Sequence, residues 1–427
     1  MLSAPEFLKP LLTAPVAVLG TGVSGRSAAK LVKRLKGEVT FYDEKGGGDI
    51  VAQFKPSGHK LAIISPGFSA NHPWVIAARS AGLVILNELD LASIFWRGEV
   101  VAVTGTNGKT TLTEFLTHAL KLAGKDAFAV GNIGQAFCET VVEREGGAPD
   151  SIAICEVSSF QAETLRYFRA DAAIWTNFAE DHLERHGSMA SYFAAKWHLF
   201  ERTVGGVVFA GSSVQRAAEA YGQSLPENAV IETEDIAGDV LLRGTVFDDQ
   251  PQRENFLLAS AWWRAAGYRE PVLYAAAQNF TLGAHRLAKT AVINTVTWWN
   301  DSKATNFHAT EAALSHFGAP VILIAGGKSK GGDLAGFVRR IAGRVKQVLL
   351  IGESRNILAT LLGAAGVSHQ VCENLTQAVG LAYARAEASD NVLLSPGFSS
   401  LDQFEGYADR GLKFESLVKA LSVPNHS

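Results

Sequence analysis

Cysteine is scarce: Cys138, Cys155 and Cys372 are the only three in 427 residues. They stand too far apart for a disulfide framework or a metal knuckle, and they suit a reducing compartment. Long apolar runs are also missing. No stretch approaches the roughly 18 residues that a membrane helix needs, although 47% of the residues are hydrophobic. That share, beside 19% charged residues, describes a globular protein with ample core. Basic excess is absent too: 39 Lys and Arg face 42 Asp and Glu, for a net charge of −3. Such a balance offers no field for nucleic acid. The N-terminus shows no basic stretch leading into an apolar core and a small-residue cleavage site, so no signal peptide is expected. These absences predict a cytoplasmic protein with neither nucleic acid nor membrane as partner.

A last absence is a single glycine. Val100-Val-Ala-Val-Thr-Gly-Thr-Asn-Gly-Lys-Thr-Thr111 reads as a β-branched strand, a glycine loop and the start of a helix. Leu112, Phe115, Leu116 and Leu120 then recur at helical spacing. The strict P-loop pattern asks for glycine where Val103 stands, so the shorter Gly105-Thr106-Asn107-Gly108-Lys109-Thr110-Thr111 is what remains. Backbone N–H groups at a helix N-terminus cradle phosphate, and glycines let the backbone come close. Lys109 would neutralise β/γ-phosphates and the Thr110 hydroxyl would reach Mg²⁺. The bland alternative is an ordinary glycine-rich βα turn with a solvated lysine.

Three α/β blocks follow one another, so the fold class is α/β with mostly parallel sheets. At about 100–200 residues per domain, two to four domains are expected. The first block has strands at 15–19, 39–42 and 61–64. The second holds the phosphate loop and strands at 152–155 and 172–175. The third has strands at 321–324, 348–351 and 392–394. The stretch from Gly211 to Arg253 is weakly patterned and reads as loops and short strands. The predicted domains are 1–90, 91–283 and 284–427.

Several motifs sit at strand ends, where open α/β sheets bind ligands. Gly20-x-Gly22-x-x-Gly25 matches the dinucleotide fingerprint, with Asp43 18 residues after Gly25. An NAD(P)-dependent dehydrogenase is therefore a rival reading, although a UDP-linked substrate would use the same helix N-terminus. Glu156 and Asp181-His182 each follow a strand and suit a metal bound to phosphate oxygens. A solvated loop histidine is the alternative for His182. Lys196 adjoins the helical face of Phe193, Trp197 and Phe200, where a snorkelling side chain is the usual reading. Asn300–Asn306, Gly326–Asp333 and Ser395–Phe404 are polar loops of the third block, two of them with lysines that suit anions.

Taken in order along the chain, these motifs resemble the Mur ligase family. The resemblance rests on Gly105–Thr111, Glu156, Asn177 with Asp181-His182 and Arg185-His186, Lys196, His285-Arg286 and Asn300–Asn306. Within the family it is nearest to the branch that adds D-glutamate. Gly131–Gly134, Glu156–Gln161, Asn300–Thr305 and Ser395–Phe404 with Arg410-Gly411 carry that distinction. The resemblance implies a Rossmann-like first domain for the UDP substrate, a central ATP-binding domain and a Rossmann-like third domain for the amino acid. It implies ATP-dependent ligation of D-glutamate to UDP-N-acetylmuramoyl-L-alanine through an acyl phosphate, by a monomer; another amino-acid ligase of the same family is the alternative. Cations are needed because two anions meet in the first step.

By matching position, Lys109, Glu156, His182 and Lys196 are the catalytic set. Thr110, Glu156 and His182 are implied as ligands of a pair of Mg²⁺ ions, together with Lys196 as a CO₂-derived carbamate. ATP would also meet Gly105 to Thr111, Asn255, Arg286, Asp301 and Lys303. The UDP substrate would meet Val23, Ser24, Asp43, Ser65, Pro66, Gly67, Asn132 and Gln161. D-glutamate would meet His182, Thr305, Lys330, Ser400, Leu401 and Tyr407. The chain departs from the family pattern at Pro251-Gln252, Ala288, Ser329 and Tyr407.

Overall fold

The computed structural model describes residues 2–231 and 238–421. Its strands form three sheets. In the first, β1 (Val16–Leu19), β2 (Val39–Tyr42), β3 (Leu61–Ile64) and β4 (Val84–Asn87) run parallel in the order β2-β1-β3-β4. The second comprises β5 (Glu99–Thr104), β6 (Ala127–Gly131), β7 (Ile152–Glu156), β8 (Ala172–Trp175), β9 (Val208–Gly211) and β10 (Val230–Ile231). It too is parallel, in the order β10-β9-β8-β5-β7-β6. The third comprises β11 (Ala288–Ile293), β12 (Val296–Asn300), β13 (Val321–Ala325), β14 (Val345–Leu350), β15 (His369–Val371) and β16 (Asn391–Leu394). Its order is β11-β12-β16-β13-β14-β15, and only β11 with β12 is antiparallel. The α/β class with mostly parallel sheets is therefore as the sequence predicts.

The continuous Val, Ile, Leu and Ala runs explain this outcome. Every residue of β1, β3, β7, β8 and β13 is buried, as expected for strands covered on both faces by helices. Helices supply the cover with one apolar stripe each. In Lys109–Leu122 that stripe is Leu112, Phe115, Leu116, Ala119 and Leu120, all at 0% exposure.

The chain divides into two compact units. Met1–Phe178, Ala190–Asp248 and Gln252–Phe280 form the first, which holds the first two sheets. Ala179–Met189, Asp249–Pro251 and Thr281–Ser427 form the second, around the third sheet. Sequence order places Asp181-His182 with the block of Lys109, whereas by contacts that segment goes with the third sheet.

One expectation is corrected. Gly211–Arg253 is not only loops and short strands: Ser212–Ala220 is a helix, and another runs from Gln252 to Ala265. The alanines of the first favour helix, and Val214, Ala217 and Ala218 bury one side of it. β10 is the short strand in this stretch, and residues 232–237 lie outside the described part.

Candidate active site

The phosphate loop connects β5 to the helix Lys109–Leu122. Gly108 occupies the N-cap at φ +82°, a conformation that side chains disfavour. A Cβ there would also lie 2.4 Å from Asn255 Oδ1. Glycine thus serves two ends: the turn itself and the close approach of Asn255, which reaches the loop from the helix Gln252–Ala265. Asn255 is buried, its Nδ2 donates to Gln252 Oε1 at 2.9 Å, and its Oδ1 has no partner among the described residues. Gln252, one of the departures from the family pattern, therefore orients Asn255. Lys109 folds back over the loop, and its Nζ donates to Gly105 O at 2.9 Å and Thr106 O at 2.8 Å.

Lys196 approaches the same loop from the helix Met189–Glu201. It is 1% exposed, and its Nζ donates to Gly105 O at 2.7 Å and Thr104 Oγ1 at 3.2 Å. The snorkelling reading is overturned: the amine itself is buried under the loop. Its neighbour Tyr192 places its ring 5.0 Å from Nζ and its hydroxyl 3.2 Å from Thr106 Oγ1. Tyr192 is a site residue that sequence reasoning passes over, and its place one helical turn before Lys196 is the signal that could have found it.

Glu156 ends β7, the neighbour of β5, in register with Val103. It is 2% exposed. One oxygen accepts from Asn132 Nδ2 at 2.9 Å, and the other, Oε2, has no partner among the described residues. Asn132, expected at the UDP substrate, thus also braces Glu156. Gln161 is buried in the capping box of a short helix, with Ser158 N and Oγ both donating to its Oε1 at 2.9 Å.

The first sheet carries the other glycine turn. Thr21 donates to Asp43 Oδ2 through its N–H at 3.2 Å and its hydroxyl at 2.9 Å, and Lys45 N–H donates to Oδ1. These bonds, that from the Thr21 hydroxyl foremost, hold the Asp43 carboxyl below its usual range. Ser65 donates to Gly20 O at 3.4 Å, with Pro66 and Gly67 following it after β3. Val23 is 74% exposed and Ser24 half-buried at the start of the helix Val23–Arg34.

In the second unit a cleft is lined by Asp181, Thr305, Asn306 and Lys330, among others. Lys330 Nζ lies 3.2 Å from Asp181 Oδ1 and 3.4 Å from Thr305 Oγ1, and Asn306 Nδ2 donates to Asp181 Oδ2 at 3.0 Å. Burial works against ionisation of Asp181, but Lys330, His182 and Asn306 outweigh it and hold the carboxyl below its usual range. His182 sits in the left-handed region at φ +53°, its Nε2 3.6 Å from Asp181 Oδ2. The structure thus gathers His182, Thr305 and Lys330 around Asp181, which the sequence reading pairs with His182 near a metal and does not place beside D-glutamate.

The other candidate residues of the third sheet do not line this cleft. Asp301 is buried between Ser395 Oγ at 2.7 Å and Leu287 N–H at 3.1 Å, and burial pushes its pKa up to about 7. Lys303 Nζ meets the Tyr407 hydroxyl at 3.3 Å and lies over its ring. Arg286 keeps one buried guanidinium nitrogen without a partner among the described residues. Ser400 is buried and Leu401 is 66% exposed. Arg410, 1% exposed, donates to Ser302 Oγ, Ser302 O and Phe398 O, clasping the loops after β12 and β16.

A phosphate loop over a buried lysine, followed by a third sheet with a charged crevice, defines the class of nucleotide-using ligases. The comparisons specify it. The Mur ligase middle-domain family matches residues 103–231, and the Mur ligase glutamate ligase domain matches residues 285–398. UDP-N-acetylmuramoylalanine–D-glutamate ligase from Acidobacterium capsulatum is 34% identical over 95% of this chain and 96% of its own length. The protein of that name from Synechocystis is 32% identical over 95% of this chain and 99% of its own. Among solved structures, the UDP-N-acetylmuramate-alanine ligase MurC of Thermotoga maritima shares the fold at a TM-score of 0.60 and 15% identity, covering 96% of this chain and 100% of that one. MurF ligase of Thermotoga maritima in complex with ADP also matches at 0.60 and 15%, over 96% and 99%. The chain belongs to the Mur ligase family, enzymes that form an amide bond at the expense of ATP. Membership sets aside the dehydrogenase reading of the Gly20–Gly25 turn.

Proposed function

We propose that this chain ligates D-glutamate to UDP-N-acetylmuramoyl-L-alanine in peptidoglycan precursor synthesis, as a monomer in the cytoplasm. One observation carries the chemistry: the phosphate loop lies over buried Lys196 and beside Glu156, whose Oε2 is buried without a partner among the described residues. The three-domain division 1–90, 91–283 and 284–427 belongs to the same reading, with the UDP substrate at the Gly20–Gly25 turn and the residues named with it.

In the first step an oxygen of the substrate's terminal carboxylate attacks the γ-phosphorus, and ADP leaves. The D-glutamate amine then attacks the acyl phosphate, loses a proton and expels phosphate through a tetrahedral intermediate. Lys109, rooted on the loop, offers its charge to the β/γ-phosphates as two anions are brought together. Asn255 faces the same loop, and Arg286, Asp301 and Lys303 complete the proposed ATP set. Lys330 and Thr305 hold the carboxylates of D-glutamate by charge and hydrogen bonding, with His182, Ser400, Leu401 and Tyr407 in the same proposed set.

Among the described residues no group of three or more His, Cys, Asp or Glu is gathered for a metal. Mg²⁺ needs none, because it binds through one or two carboxylates and completes its shell with phosphate oxygens and water. Thr110 and Glu156 fit that role, with His182 as the further implied ligand; bound Mg²⁺ would neutralise phosphate charge. Lys196, once its ammonium has given up a proton, is proposed to attack CO₂, forming an N–C bond as one C–O π bond opens to an oxyanion and the nitrogen releases a second proton. The resulting carbamate exchanges a cation for an anionic oxygen ligand.

The test is phosphate release with ATP, Mg²⁺ and UDP-N-acetylmuramoyl-L-alanine against a panel of D- and L-amino acids. D-glutamate should stand above the rest by at least about a hundred-fold in kcat/KM, the discrimination that charged, hydrogen-bonded sites achieve. Equal turnover with another amino acid would assign the chain to a sister ligase.

A further inference from the structure

Glu254 has no role in the site as described, yet it stands behind the phosphate loop. The loop is held by Asn177, two residues past the end of β8. Asn177 O accepts from Thr106 N–H at 2.9 Å, and Asn177 Oδ1 accepts from Asn107 N–H at 2.9 Å. Thr176 Oγ1 adds a bond to Asn107 O at 2.6 Å. A side-chain amide can hold the loop this way only with its oxygen toward Asn107. Turned over, its Nδ2 would oppose the Asn107 N–H, donor against donor. Glu254 decides the orientation, because its Oε2 accepts from Asn177 Nδ2 at 2.9 Å.

The carboxylate is itself fixed. Glu254 is half-buried in the first turn of the helix Gln252–Ala265, and its Oε1 packs against Gly211 at the end of β9, where a Cβ would come within 2.8 Å. The next residue, Asn255, faces the loop from the same helix. A bond from an amide to a carboxylate is charge-assisted and stronger than one between neutral groups.

We infer that Glu254 is a positioning residue for ATP binding: through Asn177 it locks the backbone N–H groups of Thr106 and Asn107, and with them the phosphate loop, in the nucleotide-binding conformation. The inference rests on the reading of this loop as the ATP site.

Steady-state kinetics and ADP titration calorimetry test it. Glu254→Ala should raise the KM for ATP and the Kd for ADP roughly ten-fold, the effect of one hydrogen bond to a charged group. The KM for D-glutamate should stay within about two-fold. Glu254→Gln, whose Oε1 still accepts from Asn177, should restore most of the affinity. A second set reverses the polarity of the pair. Asn177→Asp sets a carboxylate against Glu254 and should weaken ADP binding. Adding Glu254→Gln, whose amide donates to the carboxylate introduced at position 177, should recover it. ADP affinity unchanged in Glu254→Ala, or no recovery in the double variant, overturns the inference. Failure of the wild-type protein to bind ADP would instead overturn the ATP reading of the loop.

Discussion

The first two sheets each end a strand in a glycine turn that opens a helix, yet the two turns are furnished differently. After β1, Gly20–Gly25 leads into a helix whose first residue, Val23, is 74% exposed, and the charged group at the turn, Asp43, is occupied with Thr21. After β5, the loop is followed at once by Lys109, lies over buried Lys196 and neighbours buried Glu156 on the adjacent strand. The shared geometry is backbone N–H groups at a helix N-terminus, which holds phosphate without reacting. The second turn differs in its titratable side chains. Position alone makes a binding site; buried charge around it makes a reaction site.

The largest expected effect separates the two turns by chemistry. Lys196→Ala should lower kcat by about a thousand-fold, the scale of losing a principal electrostatic group. Short carboxylic acids should restore part of it if the missing group is a carbamate. The KM for the UDP substrate, proposed to sit at the first turn, should change little. Turnover near wild type and indifferent to CO₂ would reduce Lys196 to a packing residue.

A smaller effect breaks the first turn while sparing the second. A Cβ on Gly25 would sit 2.0 Å from Gly20 O, a backbone atom that cannot step aside. Gly25→Ala should cost about 1–3 kcal/mol of stability, as overpacking does. It should also raise the KM for the UDP substrate while leaving ADP binding unaltered. Weakened ADP binding would show that the turns are not separable.

Much of this contrast is legible in the sequence. Buried β-branched runs announce the parallel strands, and the glycine and lysine spacing announces both turns, because those features depend on neighbours along the chain. Lys196 reads as a snorkelling side chain, since helical periodicity says which face a residue occupies and not what lies above it. The loop over that face comes from β5, more than 80 residues earlier. Asp181 and Lys330 likewise meet across 149 positions. The helix Ser212–Ala220 escapes a sequence reading because its apolar face rests on Val214 and two small alanines, a weak pattern.

The smallest effect on turnover concerns a second buried carboxylate, which shows that burial and an idle oxygen do not by themselves mark a reaction site. Glu88, just past the end of β4, resembles Glu156: it is 3% exposed, one oxygen accepts from Cys138 N–H at 2.5 Å, and Oε2 lacks a partner among the described residues. Its surroundings differ, being Leu89, Phe137 and Cys138 rather than a phosphate loop. Burial pushes its pKa up to about 7, against the pull of the Cys138 bonds. The folded protein therefore keeps a proton on Glu88 that the unfolded chain releases above its ordinary value of 4.5. Stability from this group is full below that value and falls as pH rises toward about 7, by roughly 1.4 kcal/mol per pH unit. Glu88→Gln, already neutral, should escape the decline. Asp301, also raised to about 7, titrates in both proteins and cancels in the difference. Urea unfolding at pH 5, 6 and 7 should show the variant gaining on the wild type at each step, with turnover retained at pH 7. Parallel profiles would mean that Glu88 is ionised in the fold. Lost turnover would give it the kind of role assigned to Glu156 and erase the distinction between the two carboxylates.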